Sequence, residues 1–292
     1  MGAPWRNDVA CMMRVRNEAR WIKRSLERTW AVAKRVVILD DGSADLTFER
    51  CLMSLGWAVD DVVPPFNWRV FHGETEDGAC ELHYIRSPFR PAHARPHQEV
   101  SEIRDKNFLW EYCKANVPFQ HMLCLDGDEM LSLAALRNFP SAVALLVRSI
   151  DVLNIPFIYV WDREDQRRVD GIYGPQQGFP HLNFPRLFTI SRAAEEVLFD
   201  MRFAWEGTKG GFHCGSVPRE RFLVNGQAPV GAQTDLPIVH FGYLDEGERQ
   251  RKLKFYRSID PNNLFEGNYA HIVGEPDQHA PGPVELVPWE DV

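Results

Sequence analysis

The chain has no hydrophobic run near the roughly 18 consecutive residues that a membrane-spanning helix needs. Its opening stretch, Met1-Gly2-Ala3-Pro4-Trp5-Arg6-Asn7-Asp8, lacks the apolar core of a secretion signal. The expectation is a soluble, cytoplasmic protein with no transmembrane segment. Positive charge is not in excess either, since 41 acidic against 33 basic side chains give a formal net charge of −8. Nonspecific binding to nucleic acid or anionic lipid needs a basic face, so those classes are set aside and only local basic patches are left open. The six cysteines (Cys11, Cys51, Cys80, Cys113, Cys124 and Cys214) contain no C-x-x-C pair and read as reduced thiols, mostly core. No repeat or low-complexity linker divides the chain. No glycine falls between Val9 and Glu18, so the first strand-to-helix turn is not a glycine-rich phosphate loop.

What is present suits a large α/β domain: 292 residues, 45% of them hydrophobic. Val9–Val15 is an apolar run of strand length, and Trp21/Ile22, Leu26, Trp30 and Ala33 recur at helical spacing, with Lys23, Arg24, Glu27 and Arg28 opposite. Val36-Val37-Ile38-Leu39 has the continuous apolar character of a central parallel strand and ends in Asp40-Asp41-Gly42-Ser43. Ser43 or Asp45 is placed to cap the next helix, Gly56 to close it, and Trp57 to Val63 reads as a third strand. Pro64 to about His97 is a long loop rich in Pro, Gly and His, and Pro91 and Pro96 argue against a helical metal pair at His93 and His97. Helical periodicity resumes over 98–115.

The densest signal is Leu125-Asp126-Gly127-Asp128-Glu129, two carboxylates one residue apart where the strand His121–Leu125 ends. Such oxygens suit Mg²⁺ or Mn²⁺, although Asp and Gly are also ordinary turn residues. In open α/β sheets ligands bind at the carboxyl ends of strands, so Arg14–Glu18, Asp40–Ser43 and Asp126–Glu129 are expected to converge on one edge.

Those three clusters, Val15-Arg16-Asn17-Glu18-Ala19, Ile38-Leu39-Asp40-Asp41-Gly42-Ser43-Ala44-Asp45-Leu46-Thr47 and Leu125–Glu129, with Arg104 and Asn107 on the helix before the last, resemble a family 2-type glycosyltransferase of the GT-A fold. The resemblance covers about the first half of the chain. It implies a Rossmann-like mixed sheet flanked by helices with a C-terminal acceptor-side extension: a nucleotide-sugar core over 1–160 and the rest of the sheet and the acceptor region over 161–260, while the Pro, Gly, His and acidic residues from Asn262 onward mark 261–292 as an extended tail, laid on the surface or partly disordered. It also implies a nucleoside-diphosphate sugar donor, UDP-linked by preference and GDP-linked as second choice, and a hydroxyl-bearing acceptor such as a saccharide, a lipid-linked glycan or a small molecule. Arg14, Val15, Asn17 and Glu18 then line the nucleotide pocket, Asp41 sits near base or ribose, Arg104 near pocket or diphosphate, and Asp126, Gly127 and Asp128 form the D-x-D donor and metal site. A metal there neutralises the diphosphate as it leaves. By residue chemistry alone Asp41 in its polar turn can accept from a base N–H or a ribose hydroxyl, with a turn former as the alternative, and Arg104 is equally a solvated helix residue. Glu129 orients the turn, touches an acceptor or starts a helix.

The second half is less legible. Ser132–Asn138 and Ser141–Ser149 read as two helices split by Pro140, Val152–Val160 as a strand, and Pro185-Arg186-Leu187-Phe188 resembles an Arg-Leu-Phe strand of these transferases. By resemblance a C-terminal histidine completes the metal shell, with His240 first and His213 second. Glu206 and Asp165 are the candidates for a catalytic base, and the anomeric outcome is open. Gly247–Asp260 reads as an amphipathic helix whose basic side touches a diphosphate or is merely solvated. The rivals are a sugar-1-phosphate nucleotidylyltransferase, disfavoured by the missing glycine loop, and a noncatalytic nucleotide-sugar or glycan-binding protein.

Overall fold

The structure is a computed structural model describing residues 4–58, 69–89, 102–148, 150–174, 183–190, 215–218, 228–263 and 267–291. The parallel heart of its sheet is β1 (Val9–Val15), β2 (Arg35–Asp40), β4 (Glu81–Arg86) and β5 (His121–Asp126), in the order β5-β1-β2-β4, with β3 (Val70–Glu74) antiparallel on the outer edge. Side chains alternate across it as strand geometry requires. Cys11, Met13, Val15, Ile38 and Leu125 pack with α1 (Ile22–Thr29), α2 (Thr47–Ser54) and α4 (Leu133–Arg148) on one face. Ala10, Met12, Val37, Leu39 and Cys124 pack against Leu109, Trp110 and Cys113 of α3 (Glu102–Asn116) on the other. Both faces are therefore covered, which is why these strands read as unbroken apolar runs.

Beyond β5 the sheet turns mixed. β9 (Asn183–Thr189) runs antiparallel to β5 and to β7 (Val152–Trp161). The far half of β7 pairs with β8 (Arg163–Arg168) on one side and with β11 (Ile238–His240) on the other, while β10 (Gly231–Gln233) joins its near half. The expected Rossmann-like mixed sheet flanked by helices is thus present, with twelve strands among the described residues. The five described cysteines are buried and free.

Three expectations change. First, Pro140 does not split a helix: α4 runs unbroken, capped by Ser132 Oγ, which accepts the Ala135 N–H at 3.0 Å. Proline inside a helix costs about 3 kcal/mol, but Ala135, Phe139, Ala142, Val143 and Leu146 form one buried stripe spanning it, and burying that stripe outweighs the loss. Second, the strand expected over Val152–Val160 runs on to Trp161 and turns at Asp162 directly into β8, which carries Arg163, Glu164 and Asp165. Third, the tail is docked. β12 (Leu286–Pro288) pairs with β8, and Tyr269, Ala270, His271 and Ile272 are buried. Its anchor is Arg168, which is buried between the rings of Trp161 and Tyr173 at 4.4 and 4.3 Å and grips Asp170 with two hydrogen bonds of 2.7 and 2.8 Å. Its third donor reaches the carbonyl of His271. At α2 the helix-start bond comes from Asp45, whose carboxylate accepts the Thr47 N–H at 3.1 Å. Trp57 and Ala58 are not in a strand, and the rest of the third expected strand, like residues 98–101 of the third helix, lies outside the described residues.

Candidate active site

The carboxyl ends of β1, β2 and β5 lie side by side, because Val15 pairs with Asp40 and Arg14 with Asp126. The two loops after β1 and β2 are then laced together by polar side chains. Asn17, in a left-handed conformation at φ 56°, donates its N–H to Ser43 Oγ and accepts the Ala44 N–H on its Oδ1. Asp40 accepts both the N–H and the hydroxyl of Ser43, while Glu18 N–H donates to Thr47 Oγ1. The Asn-Glu and Asp-Asp-Gly-Ser segments thus fix each other.

Asp41 is fully buried, and Arg14 donates to its Oδ2 at 2.8 Å. The same guanidinium holds the buried Asp105 of α3 at 2.9 Å, and Arg104 grips the other oxygen of Asp105 while lying 3.9 Å from the centre of the Phe89 ring. Burial lowers the Arg14 pKa, but the carboxylates of Asp105 and Asp41 more than reverse this and raise it further. In this arrangement Asp41 is a clamp between strand ends, and Arg14 is the member of the pair that reaches toward solvent. Asp105 is a member that the sequence reading passed over.

The acidic turn is equally constrained. A Cβ on Gly127 would lie 2.6 Å from Glu18 Cγ and 3.1 Å from Val15 Cγ1, so only glycine lets the turn pack on the first loop. Asp126 is partly exposed, whereas Asp128 is buried. Glu129 does not start a helix. It opens β6 (Glu129–Leu131), accepts the Asp126 N–H at 2.9 Å and the Arg186 guanidinium at 2.8 Å, and so orients the turn. Burial pushes its carboxyl upward while Arg186 opposes that shift. Ser25 of α1 donates to the Glu129 carbonyl at 2.7 Å and locks the turn from below.

β11 pairs antiparallel with β6, so His240 stands beside Glu129, and the Phe241 N–H donates to the Asp128 carbonyl. His240 Nε2 comes to 3.9 Å from Asp128 Oδ2. The pairing of β11 with β6 thus places His240 beside the acidic turn. Its Nδ1, however, accepts the Gly242 N–H at 3.2 Å, and burial pulls its pKa down to about 4 despite Asp128. A neutral ring that accepts at Nδ1 carries its proton on Nε2, the atom facing Asp128.

The group that touches Asp128 is Lys252, on α5 (Glu246–Ile259), whose Nζ donates to Asp128 Oδ2 at 2.7 Å. Burial raises the Asp128 pKa, but Lys252 and His240 together hold it well below the carboxylate range, and Asp128 in turn raises Lys252 against its own burial. These groups meet over Gly242, where a Cβ would lie 2.0 Å from Asp128 Oδ2 and 2.1 Å from Lys252 Nζ. Asn17, Glu18, Arg20, Trp21, Asp128, Gly242, Glu248, Arg251 and Lys252 line one cleft. Burial, reinforced by Asp128 and opposed by Lys252, pushes the Glu18 carboxyl well up. The basic face of α5 had two readings in the sequence, solvated or ligand-facing, and Lys252 turns inward; the signal was a lysine inside an amphipathic helix with no mark of where that helix docks.

A divalent ion fits this arrangement poorly. Asp128 already carries an ammonium, His240 presents an N–H, and the donor atoms of Asp126, Asp128 and His240 are not gathered. Among the described residues the group whose donor atoms lie within 4.8 Å of one another is His72, Glu81 and His83, on β3 and β4. Asp165 is exposed on β8, bound through both oxygens by Arg163, and does not line the cleft. Glu206, His213, His93 and His97 lie outside the described residues.

No protein-family model matches the chain, and no curated protein does. Among solved structures it is similar to TarS of S. aureus, residues 1–349, at 12% identity and a TM-score of 0.45, over 91% of this chain and 69% of that one. The same protein with UDP matches at 12% identity and 0.42 over 91% and 69%, and with UDP-GlcNAc at 13% and 0.40 over 91% and 70%. At that level of likeness the site stands on its own geometry.

Proposed function

We propose that this chain is a glycosyltransferase that moves a sugar from a nucleoside-diphosphate sugar, UDP-linked by preference and GDP-linked as second choice, to an acceptor hydroxyl. The observation that carries the reading is the cleft at the carboxyl edge of the parallel strands, where Asn17 and Glu18 from the β1 loop, Asp128 from the β5 turn, and Arg251 and Lys252 from α5 face one space. A diphosphate needs fixed cations and N–H donors, and a departing nucleotide needs its growing charge met by groups already in place. The cleft supplies Arg20, Arg251 and Lys252 on the cationic side. Glu18, held toward its neutral form, removes one repulsive charge from the same space.

A divalent ion on Asp126 and Asp128, the role the resemblance implies, requires Lys252 to leave Asp128 first. The nucleotidylyltransferase alternative lacks its glycine-rich loop, and the first loop is laced to Ser43 and Thr47. The experiment is turnover of UDP- and GDP-sugars by the wild-type chain and by Asp128→Ala, which removes the anchor of Lys252. Release of nucleoside diphosphate that collapses in the variant supports the reading. Unchanged release in the variant contradicts it, and donor binding without any release identifies a noncatalytic binder.

A further inference from the structure

Building on the transferase reading, we propose that Lys252 takes the place of the divalent cation: its ammonium, anchored on Asp128, faces the donor diphosphate and neutralises the leaving group, so that donor binding needs no metal. Four observations lead there. The 2.7 Å contact joins two side chains that are 18% and 7% exposed, so it is a built pair and not a passing surface contact. Gly242 is the only residue type that leaves room for it, since a Cβ there would overlap both partners. His240, the third ligand the resemblance implies, turns a protonated nitrogen toward Asp128 because Nδ1 is held by the Gly242 N–H. The other two cations of the cleft sit in exposed ion pairs, Arg20 with Asp245 and Arg251 with Glu248, whereas the pair of Lys252 is held at depth.

An ammonium has three donors and no acceptor. Asp128 takes one N–H of Lys252, and the face of Tyr243 lies 4.9 Å from the same nitrogen. The remaining N–H groups suit phosphate oxygens, as lysines do in other phosphate sites. During transfer the bond from sugar C1 to the phosphate oxygen breaks and its electron pair stays on the diphosphate. The acceptor oxygen forms the new bond to C1 and passes its proton to a base or water on the acceptor side. Lys252 keeps all its protons throughout and acts by charge alone. Asp128 then has the unusual task of holding a cation for the substrate while being kept ionised by it.

The test is calorimetric titration of UDP and of GDP into the full chain, first in EDTA and then with Mn²⁺. The proposal expects one of the two nucleotides to bind in EDTA and to gain less than about threefold from Mn²⁺, a difference under about 1 kcal/mol. Lys252→Ala should weaken binding in EDTA by about tenfold or more, the loss of a charge-assisted hydrogen bond. Mn²⁺ should restore part of it, because Asp128 is then free to take the ion. Lys252→Arg, which keeps the charge, should bind within a few-fold of wild type. Wild-type binding that appears only with Mn²⁺ overturns the proposal while leaving the transferase reading intact, and this arm does not depend on any variant folding. Lys252→Ala binding in EDTA as tightly as wild type overturns it too. If neither nucleotide binds with or without Mn²⁺, the nucleotide-sugar reading falls and this proposal with it.

Discussion

Replacing Arg168 by Met tests how the second half of the chain is held. Arg168 is buried, and its guanidinium spends two hydrogen bonds on Asp170 and one on the carbonyl of His271. Methionine keeps much of the packing between Trp161 and Tyr173 but leaves Asp170 without its cation. Breaking a buried pair from one side costs about 3–5 kcal/mol. Asp170 retains the Glu285 N–H at 2.9 Å, so the lower end, about 3 kcal/mol, is expected. The sign with pH follows from Asp170. Burial raises its pKa, yet Arg168 and the Glu285 N–H lower it overall. A carboxyl depressed in the folded state adds stability above its unfolded value, and that stability is lost as pH falls through the folded value. The wild-type advantage over Arg168→Met should therefore be full at pH 7 and shrink below about pH 4, the unfolded carboxyl value. Urea denaturation at both pH values measures it, and Arg168→Met/Asp170→Asn should recover part of the loss. A difference under about 1 kcal/mol at pH 7, or one that grows in acid, would refute the reasoning.

Gly127→Ala forces a Cβ against Glu18 and Val15, and overpacking of this kind costs about 1–3 kcal/mol in a thermal or urea unfolding experiment. The same variant should weaken nucleotide binding more than a surface substitution of equal stability cost, since Glu18 lines the cleft. Arg14→Met takes the Arg14 guanidinium from two fully buried carboxylates, Asp41 and Asp105, of which Asp105 keeps Arg104, and should destabilise by about 3 kcal/mol. Adding Asp41→Asn to it should return part of that loss if the cost lies in the charge left behind at Asp41, and no return would place it in packing instead.

The parallel heart of the fold was readable because its signals are local. Val36–Leu39 is apolar on both faces and the Trp21, Leu26, Trp30 period marks one helix face, so strand, helix and the acidic turns at strand ends follow from neighbours in sequence. The departures all depend on partners far away. Pro140 is a breaker by propensity, and only the buried stripe on both sides of it keeps α4 whole. Residues 261–291 look like a polar tail because nothing local in them shows that Arg168 and β8 hold them from about a hundred residues upstream. Asp126 and Asp128 were singled out by their place at a strand end and His240 through the resemblance, and the structure brings His240 to Asp128 through the pairing of β11 with β6. The chemistry between them was not legible, because the ion on Asp128 comes from a lysine 124 positions later. Arg186 and Asp105 were invisible as partners for the same reason.

The most direct test of the account is thermal unfolding of the wild-type chain with UDP, GDP, ADP and their sugars. Selective binding to the native state at 100 times the dissociation constant adds about 2.7 kcal/mol of stability. The account predicts such a shift with one uracil or guanine nucleotide and its sugar, and its loss in Asp128→Ala. Equal, negligible shifts with every nucleotide would contradict it.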